Sequence, residues 1–191
     1  MKALLAAAGA ALLIAGCAST EPPPSPPSAV AANGMPIMAP GYLAMASSAD
    51  MFEIQSGQLA MQRSANPSVQ SFGQMLVSDH TGTSSDLMAA ASSAGVPPPP
   101  SQMLPQHADM LRRLQAAGPA GFDTMFRDEQ ISAHQQGLML HRTYAEQGDV
   151  PALRSAAAGI VPVVQAHLDQ AQALSTMTPP ARSPRRAGER G

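Results

Sequence analysis

Four consecutive prolines, Pro97 to Pro100, interrupt a chain that is otherwise patterned for helix, and further breaks fall at Asn66-Pro67, Gly118-Pro119 and Gly148-Asp149. Proline lacks a backbone donor and disfavours helical geometry in the residue before it, yet it fits the first turn of a helix that follows. Each break therefore closes one helix and opens another. Composition points the same way. Trp is absent and there are only 2 Tyr and 4 Phe, so the 45% hydrophobic content is mostly Ala, Leu, Met and Val. Ala, Leu and Met lose little side-chain freedom in a helix, whereas aromatic and β-branched strand formers are scarce. The reading is an all-α chain with one core.

The first helix is expected over 42–64. Its buried stripe reads Met45, Ala49, Phe52, Ser56, Leu59 and Arg63, with Glu53, Gly57 and Ala60 on the adjoining edge. The short connection Asn66-Pro67-Ser68 makes the second helix its antiparallel neighbour. That helix carries the seam Val69, Phe72, Leu76, His80, Leu87 and Ala91 and closes near Gly95. A short, partly amphipathic helix follows over 101–117, with Met103, Leu104, Met110, Leu111 and Leu114 opposed to Gln106, His107, Asp109, Arg112 and Arg113. The third long helix, 119–147, presents Phe126, Ile131, His134, Leu138 and His141. Gly148 ends it and Asp149 is placed to cap the fourth, which runs to about Met177. Pro162 is expected to kink this last helix just before His167.

The two ends read differently from the middle. Met1-Lys2, an apolar run over 3–15 and then Gly16-Cys17 resemble a bacterial lipoprotein signal. Residues 1–16 would be removed, leaving Cys17 lipidated. The run is shorter than the roughly 20 residues a membrane-spanning helix needs. Cys17 is the only cysteine, so disulfides play no part. Residues 17–41, including EPPPSPPS at 21–28, read as an extended, proline-rich tether, 42–177 as the bundle domain, and 178–191 as a basic disordered tail of net charge +3. The expected address is the bacterial cell envelope, anchored to a membrane at Cys17, on the periplasmic side or at the outer membrane. Between Asp50 and Asp169 there are 11 acidic residues against six arginines, net −5, which repels nucleic acid. The sequence leaves protein partners and homo-oligomer formation open.

The helices form two similar pairs. Residues 71–87 lie over 158–174 without a gap, so that His80 meets His167 and Leu87 meets Leu174. Glu53 and His134 hold comparable places in the helices before them. This predicts a pseudo-twofold four-helix bundle.

Three blocks carry a family resemblance: Phe72-Gly73-Gln74-Met75-Leu76-Val77-Ser78-Asp79-His80-Thr81, then Gly121-Phe122-Asp123 with Ala133-His134-Gln135, then Val161-Pro162 with Ala166-His167-Leu168. In order and spacing they resemble the bacterial domain of unknown function 4142, over residues 44–176. That family is similar to ferritin-like four-helix bundles in exported and membrane-attached proteins. The resemblance implies an antiparallel bundle with a short extra helix between helices 2 and 3, marks His80, His134 and His167 as family-type positions, and brings no established reaction.

Glu53, His80, His134 and His167, one from each long helix, supply imidazole nitrogen and carboxylate oxygen suited to one zinc, iron or copper ion if they converge. The di-iron carboxylate bundles use Glu-x-x-His on two helices, but Val77 and Val164 stand three residues before His80 and His167. A ferritin-type di-iron oxidase is therefore not expected. Asp79 points about 100 degrees away from His80 around the helix and suits the surface or the support of a ligand. The plainer reading gives each histidine a hydrogen-bonded place in a seam, serving packing or register. No nucleophile with an adjacent base is recognisable, so the expectation is a structural, binding or stress-related envelope protein without enzyme activity. A different class of function is copper handling through Met35-x-x-Met38, His107-x-x-Met110 and Met139-x-His141, since thioether and imidazole suit Cu(I). Methionine more often fills irregular cores, and His107 and His141 are expected at the surface or rim.

Overall fold

The computed structural model describes residues 29–176; the expected signal segment, Cys17, the proline run 21–28 and the basic tail lie outside the described residues. Five helices are formed: α1 Ala39–Arg63, α2 Pro67–Ser93, α3 Pro105–Ala116, α4 Pro119–Gln147 and α5 Pro151–Ala173. Every one has a proline in its first turn, where the missing N–H would have no intrahelical partner anyway. Helix α5 continues through Pro162. Among the described residues no helix is long and apolar enough to cross a membrane.

The long helices form an antiparallel bundle in which α1 packs on α2 and α4, and α5 packs on α4 and α2. Helix α3 lies against α1 and α4. Short connections force this order. At the first, the Asn66 side chain accepts from the Ser68 N–H at 2.9 Å and donates to the Ser175 carbonyl at 2.8 Å, tying the start of α2 to the end of α5. At the end of α2, Gly95 takes φ +68, and the Val96 N–H reaches back to the Ala91 carbonyl at 2.9 Å. That left-handed position suits a residue without a Cβ.

Two large apolar clusters fill the bundle, and a smaller third, Leu138, Ile160, Val164 and Leu168, joins α4 to α5. Of the large two, one holds Phe52, Phe72, Leu76, Leu114, Phe122 and Phe126. The other holds Tyr42, Leu43, Leu87, Leu140, Tyr144 and Leu153. His80 lies between Leu76 and Leu87 along α2, and His134 between Phe126 and Leu140 along α4. A polar layer is thus held between two apolar ones. All six predicted seam residues of α2 are buried.

Elsewhere the sequence reading is corrected. On α1, Phe52, Glu53, Ser56, Gly57 and Ala60 are buried as expected, but Met45, Ala49 and Leu59 lie at the edge, while Tyr42, Leu43, Ala46, Ser48 and Asp50 are inside. Arg63 is no core residue. Its guanidinium donates to the Leu114, Gln115 and Ala117 carbonyls at 2.8, 3.0 and 2.5 Å and lies 4.7 Å over the Phe122 ring, closing the exposed end of α3. Helix α1 starts at Ala39 rather than Tyr42, α3 at Pro105 rather than Ser101, and α5 ends at Ala173 rather than near Met177. Asp149 does not cap α5. Its carboxylate accepts from the Ala39 N–H and from the Tyr144 hydroxyl, both at 2.8 Å, and so caps α1 from across the bundle. Residues 29–38, expected to run extended, instead turn back. Val30 bridges to Pro36, the Asn33 amide donates to Thr143 at 2.8 Å, and Met35 packs beside the Tyr42 cluster.

Candidate metal centre

The four residues singled out from the sequence come from four different helices. His80, His134 and His167 meet in the polar layer, with ring centroids 5.7, 5.2 and 5.4 Å apart. One ligand atom from each lies within 4.8 Å of the others. Glu53 is buried beside them, its Oε1 3.6 Å from His134 Nδ1, but it is not part of that group of three.

Each ring uses one nitrogen to fix its orientation. His134 Nδ1 donates to the Gln130 carbonyl one helical turn back at 2.8 Å, which leaves the lone pair on Nε2. His167 Nε2 is held by Asp79 Oδ2 at 3.0 Å, and His80 Nδ1 by Asp50 Oδ1 at 2.9 Å. The other three nitrogens, His80 Nε2, His134 Nε2 and His167 Nδ1, have no hydrogen-bond partner, and neither does Glu53 Oε2. A buried polar atom left without a partner costs about 1–3 kcal/mol, so such a layer works against stability unless something fills it. The packing role weighed above accounts for one nitrogen of each ring and leaves the other three unexplained.

Burial also sets the protonation. It pushes His80 and His134 down to about 3, desolvation acting most strongly and the neighbouring imidazoles adding to it. These two rings are therefore neutral at pH 7, the form in which imidazole ligates. Burial raises Asp50 to about 8, partly opposed by a hydrogen bond from Ser84, and raises Glu53 well above the carboxylate range, opposed by Gln130. At pH 7 these acids hold protons. A cation at the ring nitrogens would stabilise both as carboxylates.

This donor set fits a transition metal. Metal–nitrogen bonds of about 2.0–2.1 Å in a tetrahedral site place ligand nitrogens about 3.3–3.4 Å apart, so small ring rotations would close the present triangle onto an ion. A carboxylate or carbonyl behind each ring is the usual way in which metal-binding histidines are oriented. A surface groove of about 350 Å³ lined by Met75, Asp79, Pro162, Ala166 and His167 reaches the layer from outside, and the Asp79 side chain, 41% exposed, stands in it.

Asp50 was missed in the sequence. It stands three residues before Glu53, one turn away on the same face of α1, and that spacing was the available signal. Asp79 supports its neighbour's histidine, not His80. His107 and His141, expected at the surface or rim, are buried. His141 Nδ1 is hydrogen-bonded to the Tyr42 hydroxyl at 3.0 Å, and Tyr42 stacks on Tyr144 at 3.8 Å. Burial brings His141 down to about 3 and His107 to about 4. Of the methionine pairs, Met139 is 41% exposed while His141 is buried, so those two diverge, and Met110 sits in the apolar cluster around Phe72.

Fold and site together define an all-helical bundle crossed by a layer of oriented histidines. The chain belongs to the family described as Domain of unknown function (DUF4142), whose model matches residues 24–174. Among solved structures, "CopM in the Cu(II)-bound form" is similar, at 18% sequence identity and a TM-score of 0.59, over 71% of this chain and 94% of that chain. At that identity the likeness is one of fold. No curated protein matches the chain.

Proposed function

We propose that this protein holds one transition-metal ion inside the bundle, with His80, His134 and His167 as ligands and Glu53 and Asp50 as buried acids that compensate its charge. The observation that carries the reading is the set of three buried imidazole nitrogens without partners, on rings each fixed from behind. Such a ligand set takes zinc, iron or copper. Copper is the first ion to test, because the Cu(II)-bound CopM shares the fold. Nothing in the layer supplies a nucleophile, and the role proposed is binding or storage in the cell envelope, not catalysis, with the chain attached to a membrane through lipidated Cys17.

Metal content measured by mass spectrometry on the purified protein, beside the His80→Ala/His134→Ala double variant, tests the centre. The expected result is close to one ion per chain, lost in the variant. Equal, substoichiometric metal in both would end this reading. For the anchor, the mature amino terminus should be an acylated Cys17, and a free amino terminus at another residue would reject it.

A further inference from the structure

A second donor set lies away from the histidine layer, where residues 29–38 fold against α1, α3 and α4. A largely enclosed cavity of about 90 Å³ is lined there by Met35, Met45, Gln106, His107 and Leu140. His107, at 3% exposure, is fixed from behind: its Nδ1 lies 2.7 Å from Ser48 Oγ, which also accepts from the Leu104 N–H at 2.7 Å. Its other nitrogen, Nε2, is 3.3 Å from the Gln106 amide nitrogen. The same amide nitrogen donates to Met45 Sδ at 3.2 Å. One N–H₂ group therefore bridges an imidazole lone pair and a thioether lone pair. With Nε2 as acceptor, His107 carries its proton on Nδ1 and donates it to Ser48.

We infer that Met35, Met45 and His107 form a binding site for a soft monovalent cation of the Cu(I) class, which displaces the Gln106 amide from between its ligands. Thioether and neutral imidazole match such an ion in softness, and neither must lose a proton to bind it. The donor chemistry separates this site from the histidine layer, where nitrogen and oxygen suit a divalent ion. Met35 comes from the turn that precedes α1, Met45 from α1 and His107 from α3, so an ion bound here clamps the chain leading into the bundle onto its side. The site does not depend on the metal centre proposed above. It shares no residue with it.

The test uses Ag(I), a redox-silent stand-in for Cu(I), on the full chain carrying ¹³C-methyl methionine. The first equivalent should shift the Met35 and Met45 methyl signals ahead of all others. Met35→Leu/Met45→Leu, which keeps apolar volume and so the fold, should weaken Ag(I) binding at least tenfold. His80→Ala/His134→Ala should leave that binding in place, which keeps this outcome separate from the fate of the histidine layer. First shifts at other methionines, or unchanged Ag(I) affinity in the methionine variant, would overturn the assignment, and the wild-type spectra decide the matter even if a variant folds poorly.

Discussion

An imidazole has two nitrogens, and in a core each needs a partner. His80, His134 and His167 spend one nitrogen on Asp50, the Gln130 carbonyl and Asp79, and leave the other without a partner. The orienting group that can be removed with least damage to the core is Asp79, because its side chain is 41% exposed whereas Asp50 is buried. Without it the His167 ring loses the acceptor that fixes its tautomer. Asp79→Ala is expected to weaken metal binding about 10- to 100-fold while moving the melting temperature little, as competition against a chelator and a thermal melt will measure. Unchanged affinity would show that Asp79 does not position the ring. The three histidines were legible because each interrupts an apolar seam at helical spacing. Asp50, His107 and His141 were not, because what covers them is tertiary: α2 closes over Asp50, Ser48 and Leu104 meet His107, and Tyr42 reaches across to His141. Neighbours in sequence such as Gln106 and Arg142 are polar and gave the opposite signal.

At the scale of the helices, α1 and α2 touch through two glycines. A Cβ on Gly57 would lie 2.5 Å from the Gly73 carbonyl oxygen, and one on Gly73 would lie 2.6 Å from that of Gly57. Backbone against backbone leaves no flexible side chain to yield. Replacing glycine by alanine gains up to about 1 kcal/mol of helix propensity, but overpacking costs about 1–3 kcal/mol, so here the clash wins. Gly57→Ala should lower stability by about 1–2 kcal/mol in urea unfolding. Gly82 is the control: a Cβ there meets nothing within 4 Å, and Gly82→Ala should raise stability by up to about 1 kcal/mol. Equal effects at both sites would mean that the close approach carries no weight. Helix number and order were readable because proline acts locally, through its own ring and missing N–H. Helix starts were not, since α1 gains its first turn from Asp149, 110 residues away, and α3 gains its stop from Arg63. His80 and His167, matched in the two similar helix pairs, stand with their ring centroids 5.2 Å apart.

For the whole molecule, burial sets a pH profile with two limbs. Unfolded histidines titrate near 6.5, but His80, His134 and His141 are held to about 3 and His107 to about 4. A depressed value means stability that is present above about 6.5 and is lost as pH falls toward the folded value, at about 1.4 kcal/mol per pH unit for each ring. Asp50, raised to about 8, and Glu53, raised well above its ordinary value, act in the opposite sense. Their contribution is full below the ordinary carboxylate value near 4 and is lost as pH rises through the folded value. Between about pH 4 and 6.5 four rings outweigh two carboxyls, so acid destabilises by about 3 kcal/mol per pH unit. Above about 6.5 the rings are silent and the carboxyls alone lower stability toward pH 8 and beyond. The metal-free protein should therefore be most stable between about pH 6 and 7, with urea midpoints falling on both sides. His80→Ala/His134→Ala leaves only His107 and His141 to oppose the two carboxyls, so the acid limb between about pH 4 and 6.5 should flatten. A bound dication favours the ionised carboxyls, so zinc should raise the midpoint more at pH 8 than at pH 6. A profile flat from pH 5 to 8 would show that the layer is not buried in the neutral form, and with it would go the reason for expecting proton release when metal enters.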